Sequence, residues 1–520
     1  MLTGEALLTG APRYVSALLV RDGVISAAGS FEELSAGLPS GAERVDLHGA
    51  FAMPGFNDAH LHLGEGARHA RSIQLAGTCS VDEMLARIEE AARKAVHGSW
   101  LTGGGWDESR WLSRALPSRH DLDRVTGDHP AVFGRTDIHI AVANTAALGV
   151  AGITRSTVAP PCCAIDRDAA GEATGILREQ AARELVERHI PPASMDERLS
   201  SLRLVLAEAV KHGITSAQDN SVDADLAALR ALHSTGELPL RVSEWLPFDA
   251  PLAELARRRA MGPQDRFLRT TMLKAFLDGS LGSRTAAMLA PYADAPSTGI
   301  PLYPQERLTA MALERAAAGF ELGFHAIGDH AIAMAVETFQ AINNAGHGRF
   351  RPRIEHAQTA EASVFAAAKA AGAVASMQPN HLLSDMRWAA DRLGPERAQH
   401  AYAWRSFVAA GVPLAFGTDF PVEPITPFRG LYAAVSRRPE AGGPAFHPEQ
   451  CLTMAEALHA CTQGAAYAEA AEDWKGMLIP RHVADFAVLD RNLLELADAS
   501  EVLSTAVLRT VVDGRTVYQV

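Results

Sequence analysis

Cysteine is scarce in this 520-residue chain: five residues, Cys79, Cys162, Cys163, Cys451 and Cys461, with no C-x-x-C pair among them. So sparse and odd a set excludes a disulfide framework and a cysteine-ligated structural zinc site, leaving buried free thiols as the default. Long apolar runs are also missing. No stretch reaches the roughly 18 apolar residues of a membrane-spanning helix, and MLTGEALLTG at the start has no charged segment followed by an apolar core. A cytoplasmic, unprocessed protein is the expectation. Positive charge is in the minority, with 48 Lys and Arg against 61 Asp and Glu and a formal charge of -13. No basic stripe interrupts this balance, so neither nucleic acid nor an anionic membrane is expected as a partner. At 48% hydrophobic and 21% charged residues the composition is that of a globular protein, and the length exceeds one simple core.

Both ends of the chain carry short apolar pieces punctuated by Asp-Gly. Ala17 to Val20 and Val24 to Ala28 flank Asp22-Gly23; Val507 to Val512 and Arg515 to Val517 flank Asp513-Gly514; a further apolar run lies at Ala484 to Leu489. An Asp-Gly pair between apolar runs signals a hairpin. Isolated hairpins are marginal, so residues 1–52 and 478–520 are expected to combine into one composite β-sandwich domain.

Between them, residues 53–477 show a repeating pattern. Seven short apolar segments, at 213–219, 240–245, 271–276, 321–325, 353–356, 373–378 and 413–419, alternate with helix-like stretches, and Phe51 to Phe56 makes an eighth. Eight strands alternating with helices is the arithmetic of a (β/α)8 TIM barrel. The segment at about 65–195 departs from the pattern. It holds a helical stretch near Val81 to Val96, the cluster Gly103-Gly104-Gly105-Trp106-Asp107, a turn-rich Arg135 to His139 and a helix-like stretch near Gly175 to His189. It reads as an inserted α/β subdomain, and such excursions often cover active sites.

Ionisable residues cluster at the ends of these predicted strands. His60 and His62 follow Phe51 to Phe56, and in an extended chain their imidazoles point to one side, as two ligands of a metal would. Lys274, His325, His356 and Asp419 lie at or near the C-terminal ends of the fourth, fifth, sixth and eighth strands, the face on which barrel active sites are built. Each has a bland reading alone: His325 and His356 as core histidines bonded to carbonyls, Asp419 as a helix cap. Lys274 is harder to dismiss, because an ammonium in an apolar strand is rarely buried without a partner or a chemical change.

The segments MPGFNDAHLHL (53–63), KAFLDGSLGSRTA (274–286), HAIGD (325–329), IEHAQ (354–358), MQPNH (377–381) and GTDFPV (417–422) resemble the amidohydrolase superfamily of metal-dependent hydrolases. Within it they resemble the YtcJ-like branch, amidohydrolase family 3, similar to N-substituted formamide deformylase. The resemblance covers essentially the whole chain. It implies two divalent metal ions, zinc foremost, and a carboxylated lysine: a carbon dioxide-derived carbamate on Lys274 that bridges them. His60, His62 and Asp419 would hold one ion and His325 and His356 the other, in a binuclear metal centre that hydrolyses carbon-nitrogen bonds of small molecules, N-formyl or N-acyl amines among them. Asp419 would be the catalytic proton shuttle, with His381 beside it. His381, Arg284 and Trp106 are the candidates for substrate contact, and Asp107, Asp137 and His139 are secondary ones. The oligomer is left open, a homodimer being common among similar proteins. Three other readings stay open: a mononuclear deaminase of an aminated ring, an ester, lactone or phosphoester hydrolase on the same site, and a non-catalytic, metal-free homologue.

Overall fold

Two Asp-Gly pairs turn the chain at its two ends. Asp22 and Gly23 have φ of +50° and +75°, and Asp513 and Gly514 have +54° and +73°, the paired left-handed geometry of a two-residue hairpin turn. The computed structural model describes the chain apart from residues 10–11, 37, 39–40, 109–110, 136–139, 161–162, 221 and 347–350. It divides into two units, residues 1–66 with 202–520 and residues 67–201.

In the first unit the amino-terminal hairpin is β1 (Ala17–Arg21) and β2 (Val24–Gly29). The run at Phe51 to Phe56, expected to be one barrel strand, is two. β3 (Phe51–Pro54) turns away from the barrel, and only β4 (Phe56–Leu61) enters it. The break falls at Gly55, where a Cβ would lie 2.2 Å from the Thr215 side chain. Only glycine lets the chain pass this close while changing sheets. The strand also runs on through His60 instead of stopping before it.

The second unit holds a six-stranded sheet made of β5 (Ile73–Gln74), β6 (Leu101–Trp106), β7 (Ala131–Arg135), β8 (Ile140–Ala143), β9 (Ala164–Arg167) and β10 (Ala173–Arg178). Its strands were hidden in the sequence for a local reason. Gly103 to Gly105 suggests a turn, yet these residues form the interior of β6, where a Cβ on Gly103 would sit 2.2 Å from the Ile73 carbonyl oxygen. Likewise the segment near Gly175, expected to be helical throughout, is strand to Arg178 and helix only over Gln180–Glu187.

β11 (Ile214–Asp219), β12 (Arg241–Pro247), β13 (Leu268–Phe276), β14 (Glu321–Ala326), β15 (Arg353–His356), β16 (Val374–Met377) and β17 (Leu414–Phe416) join β4 in an eight-stranded, all-parallel sheet of order β17-β16-β15-β14-β13-β12-β11-β4. Helices such as Asp223–Ser234, Leu252–Met261, Gln305–Ala317, Asp329–Asn344, Ala362–Ala370 and Pro427–Ser436 separate successive strands. The barrel is nearly closed. At the β4/β17 seam Asp419 donates its N–H to the His60 carbonyl (2.7 Å) and His62 donates to Phe420 O (2.8 Å). Buried Asp58 completes the seam, accepting from the Thr418 N–H (3.0 Å) and hydroxyl (2.6 Å). The last strands, β18 (Phe486–Leu489), β19 (Val507–Val512) and β20 (Arg515–Gln519), form an antiparallel sheet with β3. Leu18, Val20 and Phe486 pack on Ile25, Leu478 and Ala484, so the amino-terminal hairpin and the carboxy-terminal sheet share apolar contacts.

The barrel interior carries buried charge as well as apolar layers. Glu469, fully buried, meets Lys475 Nζ at 2.5 Å and accepts from Arg269 (2.6 Å) and Asn57 (2.8 Å). Burial works to raise its pKa, but the two cations outweigh that and hold it at about 2. A carboxylate depressed in the fold adds stability above its unfolded pKa and loses it as pH falls through the folded value. Glu469→Gln is therefore expected to cost about 3–5 kcal/mol at neutral pH by leaving buried cations unpaired. In urea titrations the gap to wild type should narrow as pH drops from near 4.5 toward 2; a pH-independent gap would refute the assignment.

Candidate metal centre

Strand ends deliver the predicted ligands to one place. His60 is the penultimate residue of β4, Lys274 lies two residues before the end of β13, His325 is penultimate in β14 and His356 ends β15. His62 and Asp419 lie just past β4 and β17. Parallel strands share one polarity, so all these positions fall on the C-terminal face. Two of these positions have left-handed backbone, His356 at φ +72° and Asp419 at +58°. Such conformations cost energy in residues other than glycine and are held only where the surroundings dictate them. The turn at His356 also ends the strand alternation, so that Glu355 and His356, neighbours in sequence, both serve the site.

Lys274 Nζ lies 3.3 Å from His60 Nε2. Asp419 Oδ1 is 3.0 Å from His62 Nε2 and 3.6 Å from His60 Nε2, and Asp419 Oδ2 is 2.9 Å from His381 Nε2. The His356 ring centroid lies 4.9 Å from that of His60 and 4.5 Å from that of His325. Burial lowers the His60 pKa to about 4, helped by Lys274, and lowers that of Lys274 itself to about 8. Burial, with His325 beside it, keeps His356 well below the ordinary imidazole range. Burial pushes Asp419 upward, but hydrogen bonds from His381 and His62 prevail and hold it well below the usual carboxylate range. His60 and His356 are thus held neutral and Asp419 ionised, the protonation states in which these groups ligate metals, whereas at His381, despite burial, the hydrogen bond to Asp419 raises the pKa.

Outer partners aim the imidazoles. His60 Nδ1 lies 2.6 Å from Glu355 Oε2, His325 Nδ1 lies 3.1 Å from Asp278 Oδ1, and His62 Nδ1 lies 3.4 Å from the Asn220 carbonyl oxygen. For His60 and His325 a carboxylate accepts from Nδ1–H and leaves the Nε2 lone pair for the centre, the arrangement seen around metal-bound histidines. Asp278 is itself fixed by the N–H groups of Ala287, Ile327 and Gly328. The Nδ1 atom of His356 is buried without a hydrogen-bond partner among the described residues, and burial of so polar an atom costs free energy unless a ligand satisfies it. Among the described residues, two groups have ligand atoms mutually within 4.8 Å: His60, His62 and Asp419, and His356, His381 and Asp419. The donor set fits a divalent transition metal.

His325, expected to pair with His356, lies beside this second group, its ring centroid 4.5 Å from that of His356. Of the other candidates, Trp106 is taken up by the packing of its own unit. It is fully buried in the core of its own unit with Trp111 and Phe133, and its indole N–H donates to the Phe133 carbonyl at 3.0 Å, so nothing of it is left for a substrate. Asp107 pairs with Arg135 at 3.0 Å. Arg284 is likewise committed, both arms of its guanidinium reaching Asp294 (3.0 and 2.8 Å), which also pairs with Arg392. Asp137 and His139 lie outside the described residues. Sequence reasoning missed Glu355, Asp278 and Trp245, whose ring packs 5.1 Å from His60. Only the first two carried a signal: each is an acid adjoining a ligand segment, in IEHAQ and KAFLDGS.

A sequence model of the amidohydrolase family matches residues 43–518. The YtcJ protein of Bacillus subtilis (strain 168) is 32% identical, over 97% of this chain and 96% of its own length. N-substituted formamide deformylase of Arthrobacter pascens is 28% identical, over 97% of this chain and 95% of its own. Among solved structures, an uncharacterised metal-dependent hydrolase from Pyrococcus horikoshii OT3 superposes with a TM-score of 0.80 at 29% identity, covering 95% of this chain and 96% of that one.

Glu355→Gln keeps the shape of the carboxylate but withdraws the charge that holds His60. Divalent-metal affinity, measured by competition with a chromophoric chelator, should fall about 10- to 100-fold. Unchanged affinity would mean that Glu355 merely fills the barrel.

Proposed function

The chain belongs to the amidohydrolase family, and from that premise we propose that it cleaves the carbon-nitrogen bond of an amide-type small molecule, an N-formyl or N-acyl amine. It is a hydrolase of the metal-dependent class; the bond and the metal count are our reading. The observation that carries it is the convergence of His60, His62, Lys274, His356 and Asp419 on one buried point at the C-terminal face. The Arthrobacter relative, by its name a formamide deformylase, makes N-formyl amines the first substrates to test.

In this reading His60, His62 and Asp419 would hold one ion and His325 and His356 the second, with Lys274 between them as a carbamate. Burial has already brought the Lys274 amine to a pKa of about 8, so part of it is neutral and able to add to the carbon of dissolved carbon dioxide, releasing one proton. Carboxylation exchanges a buried cation for an anion among metal ions, which removes the burial penalty. A divalent ion held there, zinc foremost, would make a bound water acidic enough to lose a proton near neutral pH and would polarise the scissile carbonyl.

The chain's own residues then move the proton. Asp419, ionised and hydrogen-bonded on both oxygens, accepts the proton from the attacking water and returns it to the departing nitrogen, which cannot leave as an amide anion. His381 steadies Asp419 through Oδ2 and is the proposed donor to the substrate carbonyl. His62 constrains Oδ1, so the carboxylate cannot rotate away. Lys274 argues against a mononuclear deaminase, since a single ion needs no bridge.

Asp419→Asn should keep most of the metal by elemental analysis yet lose about 10²-fold or more of kcat on N-formyl and N-acyl amines; near-normal turnover would sink the shuttle. Lys274→Ala should lose both metal and activity, with partial rescue by short carboxylic acids that stand in for the carbamate. Full activity and full loading without rescue would remove the bridge. Aryl esters and hydantoin-like rings in the same panel separate amide cleavage from the other hydrolases.

A further inference from the structure

On the C-terminal face, His381 is carried by a helix too short to hold itself in place. Asn380–Asp385 has six residues and no side-chain cap at Pro379, and helices this short are not stable without tertiary contacts. Its apolar anchor is Leu382, which is fully buried. Apolar burial is non-directional, so this anchor fixes the depth of the helix and leaves its rotation free. Hydrogen bonds supply the direction: Asn380 Nδ2 donates to the Pro424 carbonyl (3.3 Å), the Ser384 hydroxyl donates to Glu423 Oε1, and Asp385 accepts the Tyr402 hydroxyl.

Glu423 is the costly member of this set. It is 7% exposed, and both of its oxygens are engaged, Oε1 by Ser384 and Oε2 by Arg429 Nη1 at 2.8 Å, from the helix Pro427–Ser436. Burying a carboxylate costs free energy unless it is paired, and Arg429, itself steadied by Glu440 at 2.6 Å, offsets that cost. Glu423 also follows directly on the turn that presents Asp419, which the Val422 N–H closes by donating to the Asp419 carbonyl (2.9 Å). The Asp419 segment and the His381 helix are therefore joined by two rungs: Asp419 Oδ2 with His381 Nε2 at 2.9 Å, and Glu423 with Ser384. His381 and Ser384 are three residues apart and so share one side of the helix. The second rung thus sets the rotation on which the first depends.

Taking the reading of Asp419 as shuttle and His381 as donor for its basis, we infer that Glu423 is a positioning residue of the reaction. Through Ser384 it fixes the rotation of the helix Asn380–Asp385 and so keeps His381 against Asp419 and the substrate carbonyl. It touches neither substrate nor metal and takes part in no proton transfer. Without it the helix is still seated by Leu382 and held at its far end through Asp385, so the centre loses its alignment while the fold persists.

The test is a double-mutant cycle on N-formyl amines with the metal-loaded enzyme. Glu423→Ala removes the second rung. Ser384→Ala removes it from the other side, leaves the pair of Glu423 with Arg429 in place, and decides the matter if Glu423→Ala does not fold. Each should lower kcat about tenfold or more with KM and metal content near wild type, since a displacement of about 1 Å suffices for a loss of that order. In the His381→Ala background the same substitution should lower kcat no further. An equal loss with and without His381, or no loss in the wild-type background, overturns the inference and leaves amide cleavage standing. If the wild type cleaves no N-formyl amine, crystal structures of wild type and Ser384→Ala decide. A His381 Nε2 drawn beyond about 3.5 Å from Asp419 Oδ2 in the variant alone keeps the positioning role while the assigned reaction falls; an unmoved His381 overturns both.

Discussion

At the middle of the barrel a buried arginine holds a buried carboxylate, and the carboxylate holds His60. Arg353 Nε lies 2.8 Å from Glu355 Oε1, and Glu355 Oε2 takes His60 Nδ1 at 2.6 Å. Arg353 is anchored in turn by the Ala59 carbonyl (2.7 Å), the Ser376 hydroxyl (2.8 Å) and Gln218, and stacks 4.8 Å above Trp245. Burial pushes the Glu355 pKa up, but Arg353 and His60 hold it at about 2. Exchanging such a pair for apolar side chains is often neutral for stability, so its consequence is orientation: the His60 ring is fixed through Nδ1.

The network extends beyond the site. Gln218 also bonds Asn57 (3.3 Å) and the Ala465 carbonyl (2.9 Å), and Asn57 donates to Glu469. A continuous chain of polar contacts therefore runs from the Glu469, Lys475 and Arg269 cluster up through the barrel to His60. Low dielectric strengthens each bond and makes each unpaired member costly, which favours a single arrangement of the whole.

Closure of the barrel is the second constraint on the centre. At Gly417 a Cβ would lie 2.4 Å from His60 N and 2.8 Å from Asp58 Oδ1, so only glycine lets β17 come close enough to β4. That approach brings Asp419 within 3.0 Å of His62 although 357 residues separate them. The same seam that shuts the sheet thus assembles half of the centre.

The alternation of strand and helix, the Asp-Gly hairpins and the placing of His60, His325 and His356 at strand ends were legible in the sequence, because each is a local signal: a period, a turn pair, or a histidine closing an apolar run. The inserted sheet was not, since the glycines of β6 succeed by close backbone approach, which no propensity records. Nor was the partition of Phe51 to Leu61 between two sheets, decided by Thr215 across from Gly55. Trp106 and Arg284 show the converse, for a residue type that suits a binding role was consumed by a core and by a loop ion pair. By itself, then, the sequence determined which groups could ligate and on which face of a parallel barrel they would stand, since side-chain chemistry and strand polarity are properties of the chain. Only the tertiary structure decided which acceptors orient His60 and His325, that His381 stands against Asp419, and that Arg284 is spent on Asp294, because each depends on neighbours brought from distant strands and loops.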